Sequence, residues 1–432
     1  MTVTSKKARK TFFNKVSSSE RPLLFISYFA GIRGNCPAEW ADDKIRVLEA
    51  EGRETLVLTG MGSHVTNRPC IRFFTAPSLS WNDYREEARE LREEGERVPL
   101  RMHLFKPLAC VFGSIIDYIL FKMTKGMSAG RWSWLIAALP VALWLKLRYG
   151  ARDVFCTGGP TSAHLLGGII VRLTGGRLFC EFQDPLLGAT MTRSSMTRRI
   201  SENIEQWLVK RSTRAIYVTQ EAARLARERN PVCALQIVGI YPGAWQFVEP
   251  MPPEERGNVK VFEFLHLGTL YGSRNLDLFF DALDSLSAEG FEHAKSVRVV
   301  NLGAAYCHSA LNYQKRNDFK SLSALERSDA LERARCASCL LLIQHTDERS
   351  KETIPYKTYD YLNLKLPVFG LLNNDELGYL INAHKGYTSQ ASDVESIKTE
   401  LRQCLLDLAE GKFNMQDAEM PPDISQQFLR LF

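Results

Sequence analysis

Two periodicities alternate along most of the chain. Short, near-continuous apolar runs have the character of strands covered on both faces of a parallel sheet. Between them lie segments whose apolar residues recur at three- and four-residue spacing, as on amphipathic helices. RPLLFISYF (21–29) is the first such run, and it exits into AGIRGNCP (30–37), a loop with two glycines, Gly31 and Gly34. A helix with Ala38, Ala41, Ile45 and Leu48 on one face follows, then the strand ETLVLTG (54–60). The same order resumes with the strand ARDVFCTGG, the helix SAHLLGGIIVRL, and the strand GRLFCEF, which ends at Gln183-Asp184-Pro185. RAIYVTQ, EAARLARE and ALQIVG (234–239) continue it as strand, helix and strand. Gly31, Gly34, Gly158, Gly159 and Asp184 all fall just beyond the carboxyl ends of parallel strands, where open α/β sheets place ligands. Each glycine alone is more often a turn device than a ligand contact, and Asp184 serves equally as a helix cap, so the clustering is the better evidence. There is no GxGxxG, so the dinucleotide fingerprint is absent.

YPGAWQFVEPMPPEERGN (241–258) is rich in proline and glycine and reads as a linker, after which the series restarts. KVFEFLHLGT (260–269), SVRVVNLG (296–303), SCLLLIQH and PVFGLL are strands; helices lie over 275–286, in LSALERSDALERAR, in DELGYLI and over 391–411. The 432 residues exceed one hydrophobic core and fit two α/β domains. The expected division is a basic, disordered tail over 1–20, a first Rossmann-like domain over 21–240, the linker 241–258, a second Rossmann-like domain over 259–411, and a tail over 412–432 packing back on the first domain. The ligand is expected in the cleft between the domains.

One region breaks the pattern. A highly charged surface stretch, SWNDYREEARELREEGERVP, leads into two apolar helical segments, HLFKPLACVFGSIIDYILFKM (103–123) and WSWLIAALPVALWLKL (132–147), within an insertion over 100–148. The uninterrupted apolar run Trp134–Leu145 is twelve residues, against the roughly 20 a spanning helix needs. Two readings stand: buried packing helices, or a monotopic contact with a membrane surface. The tryptophans at 132, 134 and 144, with Arg131, Lys146 and Arg148 near the ends, suit the second.

Composition narrows the class only modestly. The formal charge of +6 permits a surface facing phosphate or anionic lipid. Dispersed basic residues, with no basic helix or aromatic RNA motif, argue against nucleic acid. The ten cysteines are scattered, many inside apolar runs, and fit reduced thiols of a cytoplasmic protein. The N-terminus MTVTSKKARKTFFNK lacks the apolar core of a secretory signal. Neither the lone CxxC at 336–339 nor the eight histidines, without HxH or HExxH, make a metal site, and no cofactor is expected.

The most informative stretch is KETIPYKTYDYLNLKLPVFGLL (351–372). It reads as a loop, a helix entered through Pro355, and a strand. The amides around Ile354 to Lys357 can receive phosphate oxygens, Lys357 adds a point charge, and Asp360 can accept from ribose hydroxyls. Glu352 can meet sugar hydroxyls or a developing positive centre. The plain alternative is that Glu352 caps a helix while Lys357 and Asp360 face water.

These residues resemble the retaining glycosyltransferases of the GT-B group often called family 4, which carry a glutamate, seven residues, an acidic residue on a helix, then a glycine and a Pro-Val strand. Glu352, Asp360 and Pro367-Val368 match; Lys365 stands where glycine is usual, and Asp360 where glutamate is usual. In HLGTLYGSRNLDLFFDAL (266–283), Gly268 and Arg274 match the glycine and the second of two diphosphate-binding basic residues, while Thr269 replaces the first. AGIRG looks like the family's glycine loop. The family often has a histidine after the strand matching DVFCTGGP; here His164 lies one turn into the helix, so that role is not carried over.

The resemblance implies two Rossmann-like domains facing across a cleft, the first on the acceptor side and the second binding a nucleotide diphosphate sugar. It implies transfer of the sugar to a hydroxyl of a glycan or lipid-linked acceptor with retained configuration. Glu352, Arg274 and Lys357 would be catalytic, and Gly31, Gly34, Gly268, Thr269, Ile354, Pro355 and Asp360 would hold the donor. Asp184, Gly158, Gly159 and His164 would lie on the acceptor side. With no DxD, the diphosphate charge falls to backbone N–H groups, Arg274 and Lys357 rather than to a metal. A non-catalytic nucleotide-sugar-binding protein of the same fold and a nucleotide-sugar epimerase are the alternatives. The expected location is the cytoplasm, with contact to the inner face of the membrane through 103–148. Oligomeric state is not legible.

Overall fold

A computed structural model describes residues 21–32, 36–61, 67–93, 100–124, 131–188, 195–243, 245, 261–412 and 423–432. The expected tail 1–20 and nearly all of the linker 241–258 lie outside these residues, as does Gly34.

Two all-parallel sheets form the frame. The first contains β1 (Leu23–Ile26), β2 (Thr55–Thr59), β3 (Ile71–Thr75), β4 (Asp153–Cys156), β5 (Arg177–Phe182), β6 (Arg214–Tyr217) and β7 (Ile237–Gly239). Their order is β3-β2-β1-β4-β5-β6-β7, with Ile26 of β1 in register with Leu58 on one side and Cys156 on the other. The second contains β8 (Phe262–Leu267), β9 (Val297–Leu302), β10 (Phe319–Leu322), β11 (Cys339–Ile343), β12 (Val368–Leu372) and β13 (Tyr387–Gln390), ordered β10-β9-β8-β11-β12-β13. Strand order reverses beside β1 and beside β8. The two resulting crevices, at the carboxyl ends of β1/β4 and β8/β11, are the ligand positions of open parallel sheets.

Helices cover both sheets: α1 (Cys36–Ala50), α2 (Trp81–Glu93), α3 (Leu100–Thr124), α4 (Trp134–Tyr149), α5 (Thr161–Thr174), α6 (Ser195–Arg211) and α7 (Gln220–Arg229) in the first domain. The second has α8 (Asp277–Ala288), α9 (Ala310–Tyr313), α10 (Arg327–Ala334), α11 (Lys357–Asn363), α12 (Asp375–Ala383) and α13 (Val394–Ala409). The chain then returns to the first domain as α14 (Ile424–Leu429). Ile424 and Phe428 are buried there, and the Phe428 ring lies edge-on to Phe155 of β4 at 5.0 Å. The architecture is the two-domain GT-B fold that the sequence implied.

The interior strands form because their residues are largely apolar on both faces: β1, β2, β4, β11 and β12 are buried at every position. In the insertion, α4 runs through Pro140. Its inner residues Trp134, Ala138, Ala142 and Leu145 are buried, while Ile136, Trp144 and Leu147 face outward. Two of the cations expected at a membrane interface turn elsewhere. Arg131 binds Asp83 at 2.8 Å, and Lys146 Nζ donates to the carbonyls of Ala151 (2.8 Å) and Arg152 (3.3 Å). Arg148 remains exposed.

Candidate functional site

The second domain's crevice is built around the turn that leaves β8. Gly268 has φ +118°, and Gly303, at the exit of β9, has φ +142°. A Cβ on Gly303 would lie 2.5 Å from the Gly268 carbonyl oxygen, so the two exits pack backbone against backbone. Thr269 continues this turn toward Arg274.

α11 grips the end of β8 with two side chains one turn apart. Tyr361 Oη accepts from the Leu267 N–H at 2.8 Å, and Lys357 Nζ donates to the Leu267 carbonyl at 2.8 Å. Lys357 also lies 2.5 Å from His266 Nε2. Asn301 Nδ2 donates to the Gly303 carbonyl (2.7 Å), which turns Asn301 Oδ1 toward His266 Nδ1 at 2.7 Å. His266 Nδ1 is then the donor and Nε2 the acceptor of a Lys357 N–H. Burial, and then the neighbouring Lys357, hold His266 well below its ordinary pKa, so the ring is neutral.

Burial, followed by the charge of Arg274, drives the Lys357 pKa well down. Arg274 lies over the Tyr271 ring at 5.3 Å, and its Nε is buried with no hydrogen-bond partner among the described residues. Among the described residues no carboxylate pairs with either Lys357 or Arg274. An added Cβ on Gly268 would be 3.8 Å from Lys357 Nζ, so the ammonium sits at the glycine turn.

Asp360 is 7% exposed and its partner is Arg327, which no sequence signal had singled out. The Arg327 guanidinium donates to Asp360 at 2.6 and 3.2 Å, to Asp43 of the first domain at 3.0 Å through each of two nitrogens, and to Glu39 at 3.5 Å. Tyr356 hydrogen-bonds Asp43 through its hydroxyl, and its ring lies 5.1 Å from Trp40. Burial works against the Arg327 charge, but Asp360 and Asp43 more than offset it and raise its pKa. Burial raises Asp360 despite Arg327.

Glu352 is 2% exposed at the seam between the domains. Its carbonyl accepts from Thr219 Oγ1 of the first domain at 3.0 Å, and Arg229 of α7 feels its charge. Ile354 is buried in the apolar layer around α11, and Pro355 opens the turn that Thr358 N–H closes onto it at 2.9 Å.

The first domain supplies the facing wall. The Gly31 N–H donates to Asp42 Oδ1 at 3.2 Å, and burial raises the Asp42 carboxyl to about 6. Behind Gly158 and Gly159 the strand ends are filled by a closed network. Lys44 pairs with Glu181 at 2.9 Å, Thr157 donates to Glu181 at 2.5 Å, and Gln183 donates to Thr157 at 3.1 Å. His164 belongs to the core: 2% exposed, its Nε2 is 2.7 Å from the Glu181 carbonyl and its ring stacks on Phe182. Asp184 opens to the cleft, and its desolvating surroundings raise its carboxyl with no charge partner contributing.

The candidates converge on Cys36, at the start of α1. Cys36 is exposed, yet desolvation by the surrounding walls pushes its thiol up to about 12, and it feels Asp184, Asp360 and Arg327. Lys357 in turn feels Cys36. Both walls therefore meet within electrostatic range. His266 and Asn301 were missed, although each is a polar residue next to the last position of a central, largely apolar strand, which is a readable signal. Among the described residues no group of three or more His, Cys, Asp or Glu could hold a metal ion.

No family model and no curated protein matches the chain in sequence. Solved structures do match in shape. Sucrose-phosphate synthase from Thermosynechococcus elongatus aligns with a TM-score of 0.61 at 10% identity, over 96% of this chain and 95% of that one. HepE from Anabaena, in complex with UDP and glucose, aligns at 0.57 and 12% identity, over 95% and 99%. WaaG, a glycosyltransferase involved in lipopolysaccharide biosynthesis, aligns at 0.55 and 13% identity, over 94% and 98%. At such identities the shared property is the GT-B fold.

Proposed function

We propose that the protein is a glycosyltransferase that moves a sugar from a nucleoside diphosphate sugar to a hydroxyl of a glycan or lipid-linked acceptor. One observation carries the reading: two cations, Lys357 and Arg274, converge on a glycine turn at the β8/β11 crevice with no carboxylate partner among the described residues. A diphosphate fits that charge, and its approach restores the protonated state that burial disfavours in Lys357. HepE, a structural neighbour, is known in complex with UDP-glucose, which favours a nucleotide sugar over other anions.

In this reading Lys357 and Arg274 stabilise the diphosphate as its bond to the sugar breaks, without a metal, so turnover survives a chelator. Asp360, released from Arg327, accepts from the ribose. Glu352, buried at the seam, orients the sugar hydroxyls. Asp184 meets the acceptor, whose proton passes to the leaving diphosphate oxygen on the same face, which retains configuration. The ten scattered cysteines, many inside apolar runs, fit reduced thiols at work in the cytoplasm.

Calorimetric titration with UDP-, GDP-, ADP- and TDP-sugars, without added metal, tests the proposal. One clear binder, weakened by Lys357→Ala, is the expected result. No binding by a folded sample overturns it. Binding without turnover on any acceptor indicates a binding protein, and release of an epimerised sugar indicates an epimerase.

A further inference from the structure

The outer face of α3 is built the wrong way round for a water-facing helix. Leu108, Phe112, Ile115 and Ile119, at three- and four-residue spacing, are 73%, 63%, 55% and 51% exposed. They line one side of the helix over three turns. Segment 106–124 is long and apolar enough to cross a membrane, yet only 22% of it is buried. A single exposed leucine is ordinary, but a continuous stripe of this size marks a contact surface.

The helix is nevertheless fastened to the first domain. A Cβ on Gly113 would lie 2.3 Å from the Leu79 carbonyl oxygen, so backbone abuts backbone there. Asp117 accepts from the Ser133 N–H (2.7 Å) and from Ser133 Oγ (2.8 Å) at the start of α4. Thr197 Oγ1 of α6 donates to the Met123 carbonyl at 3.2 Å. Spanning a bilayer would break all three ties, whereas lying along its surface keeps them.

Charge identifies the occupant. Residues 100–149 contain seven Lys and Arg against one acid, Asp117; Arg131 and Lys146 are tied into the protein, and the acid is likewise turned inward, to Ser133. Lys122 and Arg148 are exposed, and Trp144 and Leu147 extend the apolar outer side onto α4. Among the described residues of α3 and α4, an apolar stripe flanked by cations and free of exposed acid complements an anionic lipid surface.

We propose that α3 lies flat in the headgroup region of an anionic bilayer. The surface stands independently of the chemistry in the cleft. Its consequence, delivery of a lipid-linked acceptor to the first domain's wall, rests on the function proposed above.

The test is flotation of the purified full chain with vesicles of phosphatidylethanolamine and phosphatidylglycerol, against vesicles of phosphatidylcholine alone, without nucleotide. Binding to the anionic vesicles about tenfold tighter, weakened by salt and abolished by Phe112→Glu with Ile115→Glu, is expected. Lys122→Glu, a milder change, is expected to reduce binding several-fold. Unchanged melting temperature and nucleotide affinity of each variant separate loss of docking from loss of fold. Equal binding to both vesicle types, no binding at all, or a dimer in solution that Phe112→Glu converts to monomer would each overturn the proposal. Because flotation uses no sugar donor, its failure leaves the transferase reading untouched, and the reverse also holds.

Discussion

Two sets of cations face the cleft, and their surroundings differ. Arg327 is enclosed by Asp360, Asp43 and Glu39 and joins the two domains. Lys44, on the opposite wall, is likewise neutralised by Glu181. Among the described residues, Lys357 and Arg274 have only neutral partners: a histidine ring, a carbonyl and a tyrosine face. A cation already matched by carboxylates holds the protein together, whereas a cation kept in desolvating surroundings without one is poised for an anionic ligand.

Removing the matched cation should have the largest effect. Arg327→Met leaves Asp43 and Asp360 facing each other, both buried, and should cost about 3 kcal/mol of stability in denaturant unfolding. Adding Asp43→Asn should recover part of the loss. A loss below about 0.5 kcal/mol would mean the cluster is exposed in solution and the domains stand further apart. Lys357→Ala should do the opposite: a smaller loss of stability, but about thirtyfold weaker nucleoside diphosphate binding, the value of roughly 2 kcal/mol for a charge-assisted hydrogen bond. Glu352→Gln preserves shape and removes charge. Turnover should fall about tenfold, near 1.4 kcal/mol in the barrier, with donor affinity unchanged. Near-normal turnover would return Glu352 to a purely structural place at the seam.

The smallest effect is on pH dependence. The free protein's Lys357 has a lowered pKa, and a bound diphosphate raises it. Between those two values binding takes up a proton, so affinity should fall as pH rises. Folding carries the complementary sign: the unfolded chain holds the extra proton up to the ordinary lysine pKa, so Lys357's penalty on stability shrinks as pH rises through the same window. Both slopes should flatten in Lys357→Ala. A donor affinity independent of pH in the wild type would place the diphosphate away from this lysine.

The fold was legible wherever strands are buried on both faces. The strands not read from the sequence, β3, β10 and β13, all lie at sheet edges. There one side meets solvent and the apolar run is diluted, as in FKSL of β10 and YTSQ of β13. Lys365 shows the reverse case. It adopts φ +52°, a conformation for which glycine is best suited, so its turn forms without the residue that would have signalled it. Gly268 and Arg274 were readable because they follow the end of β8, and Lys357 because it opens a helix just after Pro355. Arg327 was not, since its partners lie 33 and 284 residues away and nothing local distinguishes it from Arg333 of the same helix. The insertion was legible as apolar, but periodicity alone does not say whether an apolar side faces protein or solvent.

The return of α14 has a consequence for the order in which the protein is made. Phe428 and Phe432 pack on Phe155 and Phe179, and the Phe432 carbonyl accepts from Arg177 at 3.1 Å. The first domain's core therefore lacks a wall until the whole second domain has been synthesised. While ribosomes are still translating residues 261–412, the earlier half waits with aromatic surface open to water. That interval, rather than the finished molecule, is when the chain is most exposed to aggregation.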